Sequence, residues 1–177
     1  MKLTKYLSSF VMLCCLLVLT ACVSTQPINL AAIEEAQIKN LSAPSSDSLA
    51  SGQPTKEQLR ILAESGVKHI VNLRPESELD WDEGAFVESL GMQYHNIPVN
   101  GVEGITFKNA RKLSQLLAGL KNKPVLVHCS SGNRVGALKA LTVSQSDSLG
   151  DEAAVAEGKQ WGLTRLEPTV REILAEQ

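Results

Sequence analysis

One stretch of this 177-residue chain joins a nucleophile, a fixed cation and a run of small residues: His128-Cys129-Ser130-Ser131-Gly132-Asn133-Arg134. A turn of small residues between a strand and a helix N-terminus lets successive backbone N–H groups converge on one centre, and with the helix dipole they favour an anion. Ser130, Ser131, Gly132 and Asn133 are therefore the expected oxyanion-binding loop, and Gly132 can take a backbone conformation that a Cβ would resist. Arg134 can offer two parallel N–H groups to a tetrahedral oxyanion while countering its charge. The same field favours Cys129 as a thiolate, the nucleophilic form, so the expected chemistry is attack by sulfur and a covalent intermediate. His128 either supports the loop through a hydrogen bond or is a satisfied core histidine. No cluster of His, Cys and carboxylates has the spacing of a metal site, so neither metal nor other cofactor is expected.

The ends of the chain bear on where this thiol works. Lys2 and Lys5 precede an apolar run, Leu7 to Leu19, that is too short to span a bilayer and closes in Leu19-Thr20-Ala21-Cys22. That closing sequence resembles the lipobox of bacterial lipoproteins, which implies cleavage before Cys22, acylation of its sulfur and attachment to a membrane. The expected organisation is a signal peptide over 1–21, a lipidated tether over 22–37 and one folded domain over 38–177. Val23 and Ser24 lack the Asp that such resemblance associates with inner-membrane retention, so a periplasm-facing, outer-membrane location is expected in a two-membrane host. Of four cysteines, Cys14 and Cys15 leave with the signal and Cys22 is acylated, which makes Cys129 the mature chain's sole free thiol. Loss of Lys2 and Lys5 moves the net charge from −2 to −4, and nothing in that balance suggests nucleic acid as a partner.

The elements that must position the loop are legible from periodicity and caps. Thr55-Lys56-Glu57-Gln58 is a capping-box pattern that opens a helix with Leu59 and Leu62 on one face, closed by Ser65-Gly66. Val67 to Leu73 reads as a strand stopped by Arg74-Pro75, Asp82 caps a short helix, and Met92 to Val99 reads as the next strand. Thr106 opens a longer helix, and Val125 to His128 is a continuously apolar run suited to a central strand buried on both faces. Helices follow from Val135, Asp151 and Pro168. Ser42 to Ser51, rich in Ser and Pro, reads as loop or edge strand. Strand and crossover helix in alternation imply an α/β, three-layer sandwich around a mostly parallel sheet. In such sheets ligands bind off the carboxyl ends of the strands, where the Cys129 loop lies.

Ser51-Gly52-Gln53-Pro54-Thr55, Val71-Asn72-Leu73-Arg74-Pro75, Asn96-Ile97-Pro98-Val99 and His128-Cys129 through Arg134-Val135-Gly136 together resemble the dual-specificity protein tyrosine phosphatase fold. They are most similar to the bacterial β-lactamase hydrolase-like, phosphatase-like domains, over about residues 38 to 175. The resemblance implies a phosphocysteine mechanism on a small anionic phosphoester, with Cys129 attacking phosphorus and the loop amides and Arg134 holding its oxygens. Two features depart from that family. Tyrosine phosphatases place five residues between Cys and Arg, and here there are four. They also supply a general-acid Asp about thirty residues before the Cys, where this chain reads Asn100-Gly101-Val102-Glu103-Gly104. Glu103 is the nearest candidate acid; Asp80, Asp82 and Glu83 are expected on a solvated face. A C-x4-R loop is also the length found in many rhodanese-type sulfurtransferases, which carry a persulfide, so Cys129 as a sulfur carrier is a second reading. A non-catalytic anion-binding or interaction module is a third.

Overall fold

The computed structural model describes residues 27–145 and 150–176. The readings placed on residues 1–26, including the lipobox and Cys22, lie outside them. Four strands, β1 (Ser48–Ser51), β2 (His69–Asn72), β3 (Gln93–Asn96) and β4 (Val125–His128), form one all-parallel sheet in the order β1-β4-β2-β3. Seven helices surround it: α1 (Leu30–Glu35), α2 (Lys56–Glu64), α3 (Glu83–Ser89), α4 (Phe107–Gly119), α5 (Asn133–Ser144), α6 (Asp151–Gln160) and α7 (Glu167–Ala175).

Alternation along the strands assigns each face its own core. Leu49, Ile70 and Leu126 stand in register on one face and meet Ile33, Leu59, Leu62 and Val87 from α1, α2 and α3. Ala50, Val71 and Val127 point the other way, onto Leu113 of α4, Leu138 and Leu141 of α5, Val155 of α6 and Val170 of α7. Each fully buried Leu or Ile contributes roughly 1.5–3 kcal/mol, so both layers are needed to hold the sheet. β4 and β2 are buried at every position, as the apolar run of β4 requires, whereas the edge strand β3 is partly exposed.

The caps read in the sequence are formed. Thr55 and Gln58 close the capping box of α2, and Asp82 and Thr106 accept from Ala85 N and Asn109 N at the starts of α3 and α4. Strands β2 and β3 are shorter than the runs Val67 to Leu73 and Met92 to Val99, and two further boundaries differ from the expected ones. The stretch taken as tether to Gln37 contains α1, whose Ile33 is wholly buried, so the folded body begins before residue 38. Helix α5 starts at Asn133 instead of Val135, because its N-cap is Gly132 at φ 82° and ψ −21°, a left-handed conformation open to glycine. Arg134 is therefore in the first turn of the helix, and the loop proper is only Cys129 to Gly132.

Helix α5 is buried nearly all round and packs on α4, α6 and α7. Its approach to α6 depends on Gly136, where an added Cβ would lie 2.1 Å from Leu163 N and 2.5 Å from the Gly158 carbonyl. Gly136→Ala is expected to destabilise the protein by at least about 1–3 kcal/mol, the usual cost of overpacking. Gly119→Ala, with nothing within 4 Å of the new Cβ, should be neutral or stabilising by up to about 1 kcal/mol. Urea unfolding of both variants checks the contrast, and equal midpoints would refute it.

Candidate active site

The carboxyl ends of β1, β4 and β2 bring the loops after them together, and the Cys129 loop lies between the other two. Leu73 N donates to the His128 carbonyl at 2.8 Å and Cys129 N approaches the Ser51 carbonyl at 3.4 Å. Gly52 bridges to Ser131, and Asn40 Nδ2 donates to the Ser131 carbonyl at 3.0 Å. Cys129 is fully buried at the foot of this loop. Helix α5 begins above it with no side-chain cap, which leaves its first amides to be satisfied by another group.

Arg134 is 7 % exposed, and its donors can be accounted for one by one. Nη1 donates to Glu78 Oε1 at 2.9 Å and to the Val99 carbonyl at 2.7 Å, and Nη2 donates to Glu78 Oε2 at 2.7 Å. Nη2 also donates to Ser130 Oγ at 3.3 Å, and the guanidinium faces the Cys129 sulfur. Glu78 thus holds the end of the guanidinium fork, and the second Nη2 donor turns to the loop, where an oxyanion would have to take the place of the Ser130 contact. Burial opposes the charge on Arg134, but hydrogen bonding to Glu78 and the facing Cys129 sulfur outweigh it and hold the guanidinium more firmly protonated than usual. The same hydrogen bonds from Arg134, with a smaller contribution from Arg74, hold the Glu78 carboxyl below its ordinary range against the effect of burial.

Glu78 lies in a 3₁₀ turn, Glu76–Glu78, just after Arg74-Pro75. Arg74 fixes that turn, because it pairs with Glu78 Oε2 at 3.3 Å and donates to the Glu78 carbonyl. It also reaches Gln53 Oε1 at 2.6 Å. Gln53 in turn donates to Glu83 Oε1 at 2.7 Å, and Asn72 donates to Glu83 Oε2 at 2.5 Å and to Tyr94 Oη at 3.0 Å. Burial pushes the Tyr94 hydroxyl up to about 12, so it stays protonated. Glu83 corrects the expectation of a solvated face: it is 1 % exposed and stands beside His128. His128 Nε2 is 3.3 Å from Glu83 Oε1 but out of line for a hydrogen bond, and neither ring nitrogen of this wholly buried residue has one. His128 therefore sits under the loop against a carboxylate.

Above the loop a cleft of about 430 Å³ opens, lined by Ser130, Ser131, Arg134, Glu78, Val102 and Arg165 among others; Cys129, wholly buried beneath the loop, is not one of its lining residues. Of the expected site residues, the structure brings together Cys129, Ser130, Ser131, Gly132 and Arg134. Asn133 also lines the cleft, and its Oδ1 accepts from Thr164 N and Leu166 N at 3.0 and 3.2 Å. Glu103 is exposed on the turn after β3, outside the residues lining the cleft, although Gly101 and Val102 of that turn line it. Glu78, Glu83 and Arg165 had no assigned role in the sequence. The i,i+4 spacing of Arg74 and Glu78 was the only local sign of the first, and the other two are joined to the loop only by folding. Among the described residues no group of three or more His, Cys, Asp or Glu could hold a metal ion.

The family described as DSP-PTPase phosphatase fused to NAD+ kinase matches residues 25–161. The chain belongs to this phosphatase-like family. It is 34% identical over 97 residues to the β-lactamase hydrolase-like protein of Xylella fastidiosa Temecula1, a match that spans 52% of this chain and 22% of that protein. The chain thus covers about a fifth of that relative's length. A DUF442 protein from Shewanella putrefaciens CN-32 superimposes with a TM-score of 0.63 at 28% identity, over 81% of this chain and 95% of that one. The catalytic core of the PP-IP phosphatase Siw14 from S. cerevisiae shares the fold, with a TM-score of 0.61 at 19% identity over 78% and 85% of the two chains. The four-stranded parallel sheet with helices on both faces is the α/β architecture of these phosphatases.

The lowered Glu78 carboxyl has a consequence for stability. A carboxyl whose folded value is depressed stabilises the fold fully above its ordinary value of 4.5 and loses that contribution as pH falls through the folded value. Glu78→Gln is expected to be less stable than wild type at neutral pH, with the gap closing as pH drops below about 4.5. Denaturation midpoints between pH 3 and 7 check this, and a gap independent of pH would contradict it.

Proposed function

We propose that the protein is a cysteine-dependent phosphatase acting on small or exposed phosphoesters. The observation that carries the reading is the divided arginine: Glu78 binds the end of the Arg134 guanidinium, and the remaining donors turn to Ser130 and the Cys129 sulfur beside the uncapped start of α5, where an oxyanion would take the place of the Ser130 contact. In this reaction Cys129 Sγ attacks phosphorus, an S–P bond forms and the P–O ester bond breaks. The leaving oxygen takes a proton from a donor or from water. Water then attacks phosphorus, the S–P bond breaks, and inorganic phosphate leaves as the thiolate is restored. Arg134 and the helix amides counter charge on the equatorial oxygens in both steps. Glu103 is the proposed proton donor, since its turn forms the cleft wall at Gly101 and Val102.

A second reading draws on loop length. Cys129 and Arg134 enclose four residues, which suits sulfur transfer: thiosulfate would pass its outer sulfur to Cys129, forming a persulfide and releasing sulfite, with no acid required.

One assay separates the two. Intact chain is incubated with an arylphosphate or with thiosulfate, and Cys129 is followed by mass. Phosphatase chemistry predicts arylphosphate turnover that orthovanadate inhibits and Cys129→Ser abolishes. Arg134→Ala should lower it by about 10²–10³-fold, and Glu103→Gln by about 10²-fold for poor leaving groups. A gain of one sulfur atom on Cys129 without arylphosphate turnover would replace this reading with the sulfurtransferase.

Lipid anchoring through Cys22 is also proposed, on the Leu-Thr-Ala-Cys pattern. Cys22→Ser should move the protein from the membrane to the soluble fraction on cell fractionation, and unchanged membrane association would reject it.

A further inference from the structure

The cleft above Cys129 holds a cation that the phosphatase reading leaves unused. Arg165 lies on the connection between α6 and α7, thirty-one residues beyond Arg134 in the chain, yet both line the same cleft. Glu78 is already committed to Arg134 through two hydrogen bonds. Nearby Glu167 is taken by Lys159 and Arg171, and Glu152 is taken by Arg171. Arg165 is exposed and has no hydrogen-bond or ion-pair partner among the described residues. It is thus the uncompensated charge of the cleft.

Most exposed arginines are held by nothing and sweep through solvent. The backbone of Arg165 is clamped on both sides, because Thr164 N and Leu166 N both donate to Asn133 Oδ1. Asn133 belongs to the first turn of α5, next to Arg134. The approach of Gly136 to Leu163 N and Gly158 brings this connection against the loop. The Asn133 side chain therefore ties the backbone on either side of Arg165 to the first turn of α5, next to Arg134. Val102, 54% exposed and the only large hydrophobic so exposed among the described residues, forms part of the same wall. A cleft of about 430 Å³ is of small-molecule size.

We propose that Arg165 is a second anion seat that selects small organic phosphates bearing another phosphate or carboxylate near the group held above Cys129. This deepens the phosphatase reading by naming a substrate class, and it rests on the Cys129 loop being an oxyanion seat. A substrate with one anionic group uses Arg134 alone. One with two places its second anionic group on Arg165 while its carbon skeleton lies against Val102.

The test separates binding from turnover. Titration calorimetry on the intact chain compares inorganic pyrophosphate with inorganic phosphate, and kinetics compare fructose 1,6-bisphosphate with fructose 6-phosphate. Wild type should favour the doubly charged partner of each pair by about tenfold or more, as expected of a charged hydrogen-bonding partner. Arg165→Ala should bring the ratios close to one and Arg165→Lys should retain part of the preference. Lys121→Ala, at the opposite end of the sheet just before β4, should keep the wild-type ratios and so exclude a general charge effect. Ratios unchanged in Arg165→Ala, an equal fall in Lys121→Ala, or tighter binding of a singly phosphorylated peptide than of pyrophosphate would overturn the proposal. A pyrophosphate preference that follows Arg165 without hydrolysis of any ester would support the second seat while removing the phosphatase reading.

Discussion

Arg134 carries a full charge with 7 % of its surface exposed, and a buried guanidinium is tolerable only if its donors are met and its charge is countered. Glu78 counters the charge, the Val99 carbonyl takes a further donor, and Ser130 faces another. These partners come from the connections after β2, β3 and β4, so one side chain joins three loops. Breaking such a pair by removing one partner typically costs several kcal/mol, because the remaining charge stays buried. The arrangement also turns the second Nη2 donor toward Ser130 and the Cys129 loop. The same geometry that makes the charge tolerable makes the site directional.

A second polar layer supports the first from below. Glu83, buried beside His128, collects hydrogen bonds from Gln53 and Asn72, while Arg74 links Gln53 to Glu78. Asn72 and His128 are the last residues of β2 and β4, paired in register at the carboxyl edge of the sheet. Gln53 and Arg74 start the neighbouring loops. Polar groups at the end of a sheet that is otherwise apolar must find partners there, and all of these but the His128 ring find them in one another. This network gives the Cys129 loop a floor that does not depend on the substrate.

On the other side, close packing does the positioning. Gly136 lets α5 meet the chain at Gly158 and Leu163, and Asn133 then ties the Thr164–Leu166 connection to the start of α5. Because packed interiors have little slack, a residue thirty positions from the loop is held at its rim.

The amino-acid sequence by itself determined the architecture and singled out the Cys129 loop. The apolar run of β4, the capping box at Thr55, the caps at Asp82 and Thr106, and the grouping of Cys129, Gly132 and Arg134 are local patterns, and local patterns are carried by neighbouring residues. The start of α5 was misplaced by two residues because the left-handed Gly132 acts as cap where no side chain signals it. α1 was taken for tether because its anchor, Ile33, is a single apolar contact whose burial depends on α2 and the sheet. The partners of the site were decided only by tertiary structure. Glu78, Glu83 and Arg165 lie between thirty and sixty residues from the positions they serve, on a turn, a helix start and a connection whose sequences read as ordinary polar surface. Their roles come from three-dimensional convergence at the carboxyl edge of a parallel sheet, where crossover helices bring distant segments of chain to the same place.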